Sequence, residues 1–276
     1  MILTAPLLGR VALVLAIPLV VLATGTSCTK KTTASALVLA WQDEFDGPAG
    51  QLPDPSRWTF DVGTGWGNSQ LEYDTARPEN VSLDGAGHLL ITARKEDWLG
   101  QSYTSGRITT RGKFEQSGGR FEARMRMPSG QGMWPAFWLL GNDVATAGWP
   151  ACGEVDIMEY RGQEPLIVHG SLHGPGYSGG SALTRAYSAP APLDSAFHVY
   201  ALEWSASKIT WELDGVVYST VTPASVPGGS AWVFNHPFFI LLNLAVGGNY
   251  VGSPNSSTPF PQALQVDYVR VYRTSS

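Results

Sequence analysis

Residues Gly153 to Tyr160 read GEVDIMEY. Three carboxylates, Glu154, Asp156 and Glu159, fall within six positions otherwise filled by apolar Val155, Ile157 and Met158. Like charges this close repel, and each raises the pKa of the others. Such a set contributes nothing to folding. It suits chemistry that needs one ionised and one protonated carboxyl. A pair about 5–5.5 Å apart, one a nucleophile and the other an acid and base, cleaves glycosidic bonds with retention. Asp156, between the two glutamates, would hydrogen-bond Glu154, orient it and tune its pKa. The alternative is a row of solvated charges on an edge strand. Surface strands usually mix Lys and Thr with their acids to avoid like-charge pairs.

Aliphatic residues alternating with charges imply a strand with one dry face. Glu154 and Asp156 then share a face, whereas Glu159, five residues after Glu154, points the other way. One extra residue restores it, so the spacing predicts a β-bulge at Ile157–Met158, with Met158 as the insertion. The flanking sequence supplies more strands, among them HLLITARK, GRFEARMRM, AFWLLG, VHGSLHG, HVYALEWS, KITWELDG, FFILLNLAVGG and LQVDYVRVY. Asp214-Gly215 between two β-rich runs predicts a tight hairpin, and Asp84-Gly85-Ala86-Gly87 a second turn. At least ten strands without a long helix imply an all-β fold, a β-sandwich of jelly-roll type with a concave substrate cleft.

The chain has 276 residues, 18 basic and 23 acidic, and ten each of Trp, Tyr and Phe. Aromatic residues favour strands and also build sugar-stacking surfaces. Arg10 is followed by an apolar run from Val11 to Ala23, too short for a comfortable membrane span and matched to a signal-peptide core. Residues 1–36 are therefore expected to be a signal peptide and short polar tether, and 37–276 a single catalytic domain. Removing Arg10, Lys30 and Lys31 leaves a net charge of −8, which disfavours nucleic acid as a partner. Cys28 lies where a bacterial lipoprotein would carry its lipid, and ordinary cleavage near Ala36 is the other reading. Both leave Cys152 without a disulfide partner, as a small buried side chain.

Two further patterns compete. Gly176-Tyr177-Ser178-Gly179-Gly180 satisfies G-x-S-x-G, but that nucleophile motif needs a strand–turn–helix setting, and here it lies in a Gly- and Ser-rich loop. His169 and His173 share a strand face and suggest a metal pair that lacks a third ligand.

GEVDIMEY resembles the E-x-D-x-x-E active-site motif of glycoside hydrolase family 16. The likeness runs through almost everything after Leu37, including WTFDVGTGWGNSQLEYDT, YTSGRITTRGKFEQSGGRFEARMRMPSGQGMWPAFWLLG and HPFFILLNLAVGGNYVG. These blocks resemble the bacterial laminarinases, the endo-β-1,3-glucanases of that family. Lichenases of the bacillus type usually have the shorter E-x-D-x-E, so Met158 points away from them. The resemblance implies Glu154 as nucleophile, Asp156 as its assisting carboxylate and Glu159 as general acid and base. Trp134, Trp138 and Trp149 would line the cleft as platforms for pyranose rings, with plain core packing as the alternative for each. Asn68, Arg107 and His173 would hydrogen-bond glucose hydroxyls. It also implies a structural calcium ion away from the cleft, held by the Asp267 carboxylate and the backbone carbonyls of Glu44 and Gly87. Asp267 as an ordinary strand acid is the other reading.

The expectation is thus a secreted monomer that hydrolyses laminarin-like β-1,3-glucan, with mixed-linkage β-1,3-1,4-glucan as a further candidate substrate. It needs no cofactor for catalysis, and its catalytic domain makes no membrane contact. The rivals are a family member acting on another polysaccharide and a non-catalytic β-glucan-binding protein. Such binding proteins lose the carboxylates, and this chain retains all three.

Overall fold

The computed structural model describes residues 1–2 and 36–275. Cys28 and the apolar run from Val11 to Ala23 lie outside them. In chain order the first strands are β1 (Leu37–Asp43), β2 (Thr59–Phe60), β3 (Glu72–Asp74), β4 (Val81–Leu83), β5 (Leu89–Trp98), β6 (Gln101–Ser105), β7 (Arg107–Thr109), β8 (Gly119–Arg126) and β9 (Met133–Gly141). Then come β10 (Glu154–Tyr160), β11 (Ile167–His173), β12 (Leu183–Ser188), β13 (His198–Ser205), β14 (Lys208–Leu213), β15 (Val216–Val221), β16 (Phe238–Val246) and β17 (Gln262–Thr274). The only α-helix among the described residues is one turn, Val144–Ala147.

The strands form two sheets. One has ten strands in the order β15-β14-β13-β8-β17-β5-β6-β3, with β1 added to β17 and β4 to β5. The other has seven, in the order β12-β11-β10-β9-β16-β7-β2. The Asp214-Gly215 hairpin forms as expected, with both residues at positive φ, 50° and 78°, as a type I′ turn requires. The strands β2, β3, β6 and β12 have no counterpart in the sequence reading. β12 is an edge strand with no buried residue, so it carries no apolar alternation to read.

The seven-stranded sheet explains how one sequence makes both core and cleft. On β9, Phe137 and Leu139 are fully buried in the main core, as are Ile240, Leu242 and Leu244 on β16. The alternate residues Trp134, Ala136, Trp138 and Asn243 face the cleft instead. All nine residues of β16 are buried, because its cleft face also carries an apolar patch, in which Ala245 joins Trp134 and Val251.

β10 lies between β9 and β11 and contains the predicted bulge. Against β11, Asp156 pairs with Ser171 and Glu159 with His169, so Ile157 and Met158 together oppose Gly170. Against β9, Asp156 pairs with Trp138 and Met158 with Phe137. The residue left over on that side is therefore Ile157, not the expected Met158. Both side chains are buried in the main core, which pulls them inward and returns Glu159 to the cleft side.

Trp211 of β14, in the other sheet, pins this irregularity. Its Nε1–H donates to the Asp156 carbonyl at 2.8 Å, and the side chain is 1% exposed. Gly170 permits the approach, since a Cβ there would lie 2.5 Å from Trp211 Cδ1. Trp211→Phe keeps most of the apolar volume and leaves the Asp156 carbonyl without this donor. The expected cost is about 1–3 kcal/mol, read by urea denaturation, together with a larger fall in activity than the stability loss explains.

Candidate active site

All nine expected catalytic and substrate-contacting residues line one cleft of about 490 Å³ on the outer face of the seven-stranded sheet. β10 supplies Glu154, Asp156 and Glu159, β11 His173, β9 Trp134 and Trp138, and β7 Arg107. Loops supply Asn68 and Trp149. The cleft also contains Trp66, Gln70 and Asn243, which the sequence reading did not single out. Asn243 did leave a signal, a lone amide in the apolar run FFILLNLAV.

Each carboxyl has its own donors. Glu154 Oε2 accepts from Trp149 Nε1 at 2.9 Å. Glu159 Oε1 accepts from Trp134 Nε1 at 3.1 Å, and Ser171 Oγ stands 3.5 Å from Oε2. Asp156 Oδ2 lies 2.9 Å from His173 Nε2, which is also 3.6 Å from Glu154 Oε1. Asp156 is 4% exposed, and the side chain of Glu154 is 17% exposed. Burial pushes Glu154 up to about 8, the nearby charge of Asp156 adds to the rise, and His173 opposes it. Burial likewise pushes Glu159 up to about 8, with Asp156 again adding to the rise. Asp156 also rises to about 8, through burial. Groups this close lose their protons in succession, so over a range of pH the cleft holds charged and protonated carboxyls together.

The indoles differ in availability. Trp149 is 50% exposed and offers an open face. Trp138 is half-buried, donates to Asn243 Oδ1 at 2.8 Å and has the Arg107 guanidinium 4.9 Å from its ring centre. Trp134 is 7% exposed, with Tyr250 packed against it at 4.8 Å between ring centres. Its N–H on Glu159 is a clearer contribution than a stacking face.

Arg107 also packs against a second indole, Trp66, at 4.7 Å from its ring centre, and its Nε donates to Asp61 Oδ2 at 3.0 Å. Behind it are two buried acids absent from the sequence reading, Glu72 and Asp74, 1% and 2% exposed. Burial raises Glu72 to about 7 even though its Oε2 accepts the Val246 N–H. Burial and the charge of Glu72 hold Asp74 well above the carboxylate range, while Arg107 favours ionisation of both.

Metal chemistry has two candidate places. Glu154, Asp156 and His173 bring ligand atoms within 4.8 Å of one another. However, Gly179 N–H donates to His173 Nδ1 at 3.1 Å, so the ring presents N–H rather than a lone pair to the carboxylates. His169 and His173, whose shared strand face had suggested a pair without a third ligand, go to different partners: His169 Nε2 stands 3.7 Å from Glu164, and His173 turns to Asp156. At the second place, strand register gathers Glu44, Gly87 and Asp267, since Asp43 pairs with Val269 and Leu89 with Val266. Asp267 gives Oδ2 to Arg124. The Glu44 carboxylate is taken by Arg270 at 2.8 Å through both oxygens, and its backbone carbonyl is the expected ligand. Asp267 Oδ1 and two backbone carbonyls are oxygen donors, the kind of ligand calcium takes.

Cys152 is a free thiol, fully buried, and burial pushes it up to about 11. In the G-x-S-x-G segment Tyr177 is buried and a single 3-10 turn, Gly179–Ser181, follows. No α-helix stands behind Ser178 to make a nucleophile elbow.

A two-sheet β-fold whose cleft sets hydrogen-bonded carboxyls among indoles has the build of a glycoside hydrolase. The sequence profile described as glycosyl hydrolases family 16 matches residues 66–270, and the chain belongs to that family. It is 44% identical to a beta-glucanase of Rhodothermus marinus over 85% of both chains. The laminarinase catalytic domain of Thermotoga maritima superposes with a TM-score of 0.82 at 43% identity, covering 87% of this chain and 99% of that one. An endo-beta-1,3-glucanase of Pyrococcus furiosus gives 0.82 at 45% identity, covering 88% and 96%.

The raised carboxyls have a thermodynamic signature. A carboxyl at 4.5 in the unfolded chain and about 8 in the fold keeps its proton in the folded state across that window. Folded protein then binds more protons than unfolded, so stability falls as pH rises from about 4.5 to about 8. Glu159→Gln removes this effect at one site, where burial likewise raises the carboxyl from 4.5 to about 8. The variant is expected to exceed the wild type at pH 7 by on the order of 1–3 kcal/mol, with the gap closing below about pH 4.5. Urea melts at pH 4 and pH 7 check this, and equal stabilities at pH 7 would contradict it.

Proposed function

We propose that the protein is a retaining endo-glycosidase that hydrolyses laminarin-like β-1,3-glucan and also accepts mixed-linkage β-1,3-1,4-glucan. The observation that carries this reading is the bulge in β10, which sets Glu159 on the same cleft as Glu154 and gives each glutamate its own indole donor. Glu159 in its protonated form gives its proton to the glycosidic oxygen while ionised Glu154 attacks the anomeric carbon. The leaving chain departs with that proton and a glycosyl ester of Glu154 remains. Glu159, now a base, takes a proton from water as the water attacks the ester, and the product keeps the β configuration. Asp156 assists by its charge and its bond to His173. The open face of Trp149 suits a pyranose ring. A purely glucan-binding protein would have no use for three acids held at this cost.

Two measurements test the assignment. Proton NMR of fresh product from laminarin is expected to show the β-anomer first, and α-anomer as first product would refute double displacement. Glu154→Gln is expected to lose at least about 10³-fold in kcat while still binding the glucan. Near-normal hydrolysis by that variant would overturn the role given to Glu154. Parallel digestion of lichenan, agarose and carrageenan separates this reading from other polysaccharide hydrolases.

The reading extends to export, on the strength of the apolar run Val11–Ala23 after Arg10, and to action as a monomer. A structural calcium held by Asp267 Oδ1 and the carbonyls of Glu44 and Gly87 completes it. Its chemistry would be to tie the end of β1, the β4–β5 turn and β17 together. Calcium is expected to raise the melting temperature by several degrees over EDTA-treated protein, and Asp267→Asn to remove the difference. An unchanged melting temperature in EDTA would count against the ion.

A further inference from the structure

The G-x-S-x-G segment that lacks the setting of a serine nucleophile has a different use. His173 stands opposite Glu154 in the β10–β11 ladder, and the chain then turns back through Gly174–Gly179. Gly174 and Tyr177 exchange both backbone hydrogen bonds at 3.0 Å. Tyr177 is buried, and its hydroxyl donates to the Ala231 carbonyl at 2.8 Å. The loop is thereby fixed and brings the Gly179 N–H to His173 Nδ1 at 3.1 Å. A backbone N–H can only donate, so Nδ1 must present its lone pair, and a neutral imidazole then carries its proton on Nε2. That nitrogen faces Asp156 Oδ2 at 2.9 Å and Glu154 Oε1 at 3.6 Å.

We propose that the Gly174–Gly179 loop is a positioning element that locks His173 in the Nε2–H tautomer. The imidazole is then a fixed donor to Asp156 and cannot accept a proton from the carboxyl cluster. This rests on the proposed roles of the three acids and deepens them. An imidazole facing Glu154, Asp156 and Glu159 with a free lone pair would compete for the proton that Glu159 must give to the leaving group. Turning that lone pair onto Gly179 removes the competitor. It also fixes the site of the Asp156 proton, which when present sits on Oδ1, because Oδ2 already faces an N–H. The second neighbour of the ring, Trp149, lies 6.0 Å away between ring centres and donates to Glu154, so it offers Nε2 no hydrogen.

The test uses the full chain with histidine labelled by ¹⁵N. The protein has five His, and His173→Gln assigns the signal by its loss. Long-range ¹H–¹⁵N correlation at pH 7 is expected to show Nδ1 of His173 as the unprotonated nitrogen and Nε2 as the protonated one. The reverse pattern, or an average of the two tautomers, overturns the proposal in the wild type alone. Gly179→Pro deletes the donor and also rebuilds the turn, since proline cannot take the φ of 54° found at Gly179. It is expected to shift the His173 nitrogens toward a tautomer average and to lower kcat on laminarin about tenfold or more with KM little changed. A Gly179→Pro protein that folds and keeps the wild-type His173 spectrum also overturns it. Failure of the wild type to hydrolyse any β-glucan would instead refute the proposed function, and the spectrum would still report the tautomer.

Discussion

The hydrogen bond from Trp211 Nε1 to the Asp156 carbonyl joins the two sheets at the point where β10 gains its extra residue. A bulge disrupts the ladder and bends the strand, and a buried carbonyl there needs a donor. The indole supplies it from β14, across the core, through the gap that Gly170 leaves. With that point held, Ile157 and Met158 stay in the core and Glu159 returns to the cleft. Remove the extra residue and Glu159 would enter the main core, where its charge would be untenable.

The cleft is then a place where burial and donors act in opposition. Burial raises all three acids, while the indole N–H groups of Trp149 and Trp134 and the imidazole N–H of His173 each support an anion. Neither effect alone yields a working pair. Donors without burial would leave every carboxyl ionised, and burial without donors would leave every one protonated. The same opposition recurs behind the floor at Glu72 and Asp74, where Arg107 and the Val246 N–H offset burial. Arg107, bonded to Asp61 and packed against Trp66 and Trp138, lies near enough to that second pair for its charge to favour their ionisation.

Much of this was legible in the sequence, for reasons tied to particular residues. The odd spacing of Glu154 and Glu159 can be reconciled with one face only by a bulge. The Asp214-Gly215 turn has one favourable backbone solution. What sequence patterning could not reach was long-range. Nothing in QLEYD signals that Glu72 and Asp74 are buried, and the N–H that Glu72 accepts comes from Val246 of β16, far along the chain. Ile157 rather than Met158 is unpaired against β9, because the registers with β9 and β11 are set by different neighbours. Trp211 sits in an ordinary strand, and nothing local signals that its N–H crosses the core. The six residues expected to contact sugar do gather in the cleft, yet the Arg107 Nε, both His173 nitrogens and all three indole N–H groups are engaged by the protein itself.

Trp149 combines two features that are usually separate. Its face is half open to solvent, and its N–H is bonded to Glu154. A sugar stacked on that face would restrain the ring, and a restrained ring holds its N–H on the carboxylate more firmly, favouring the anion. Ligand occupancy and proton release at Glu154 are then linked quantities. Linkage is reciprocal, so whatever favours the ionised carboxylate must tighten the grip on the sugar by the same factor.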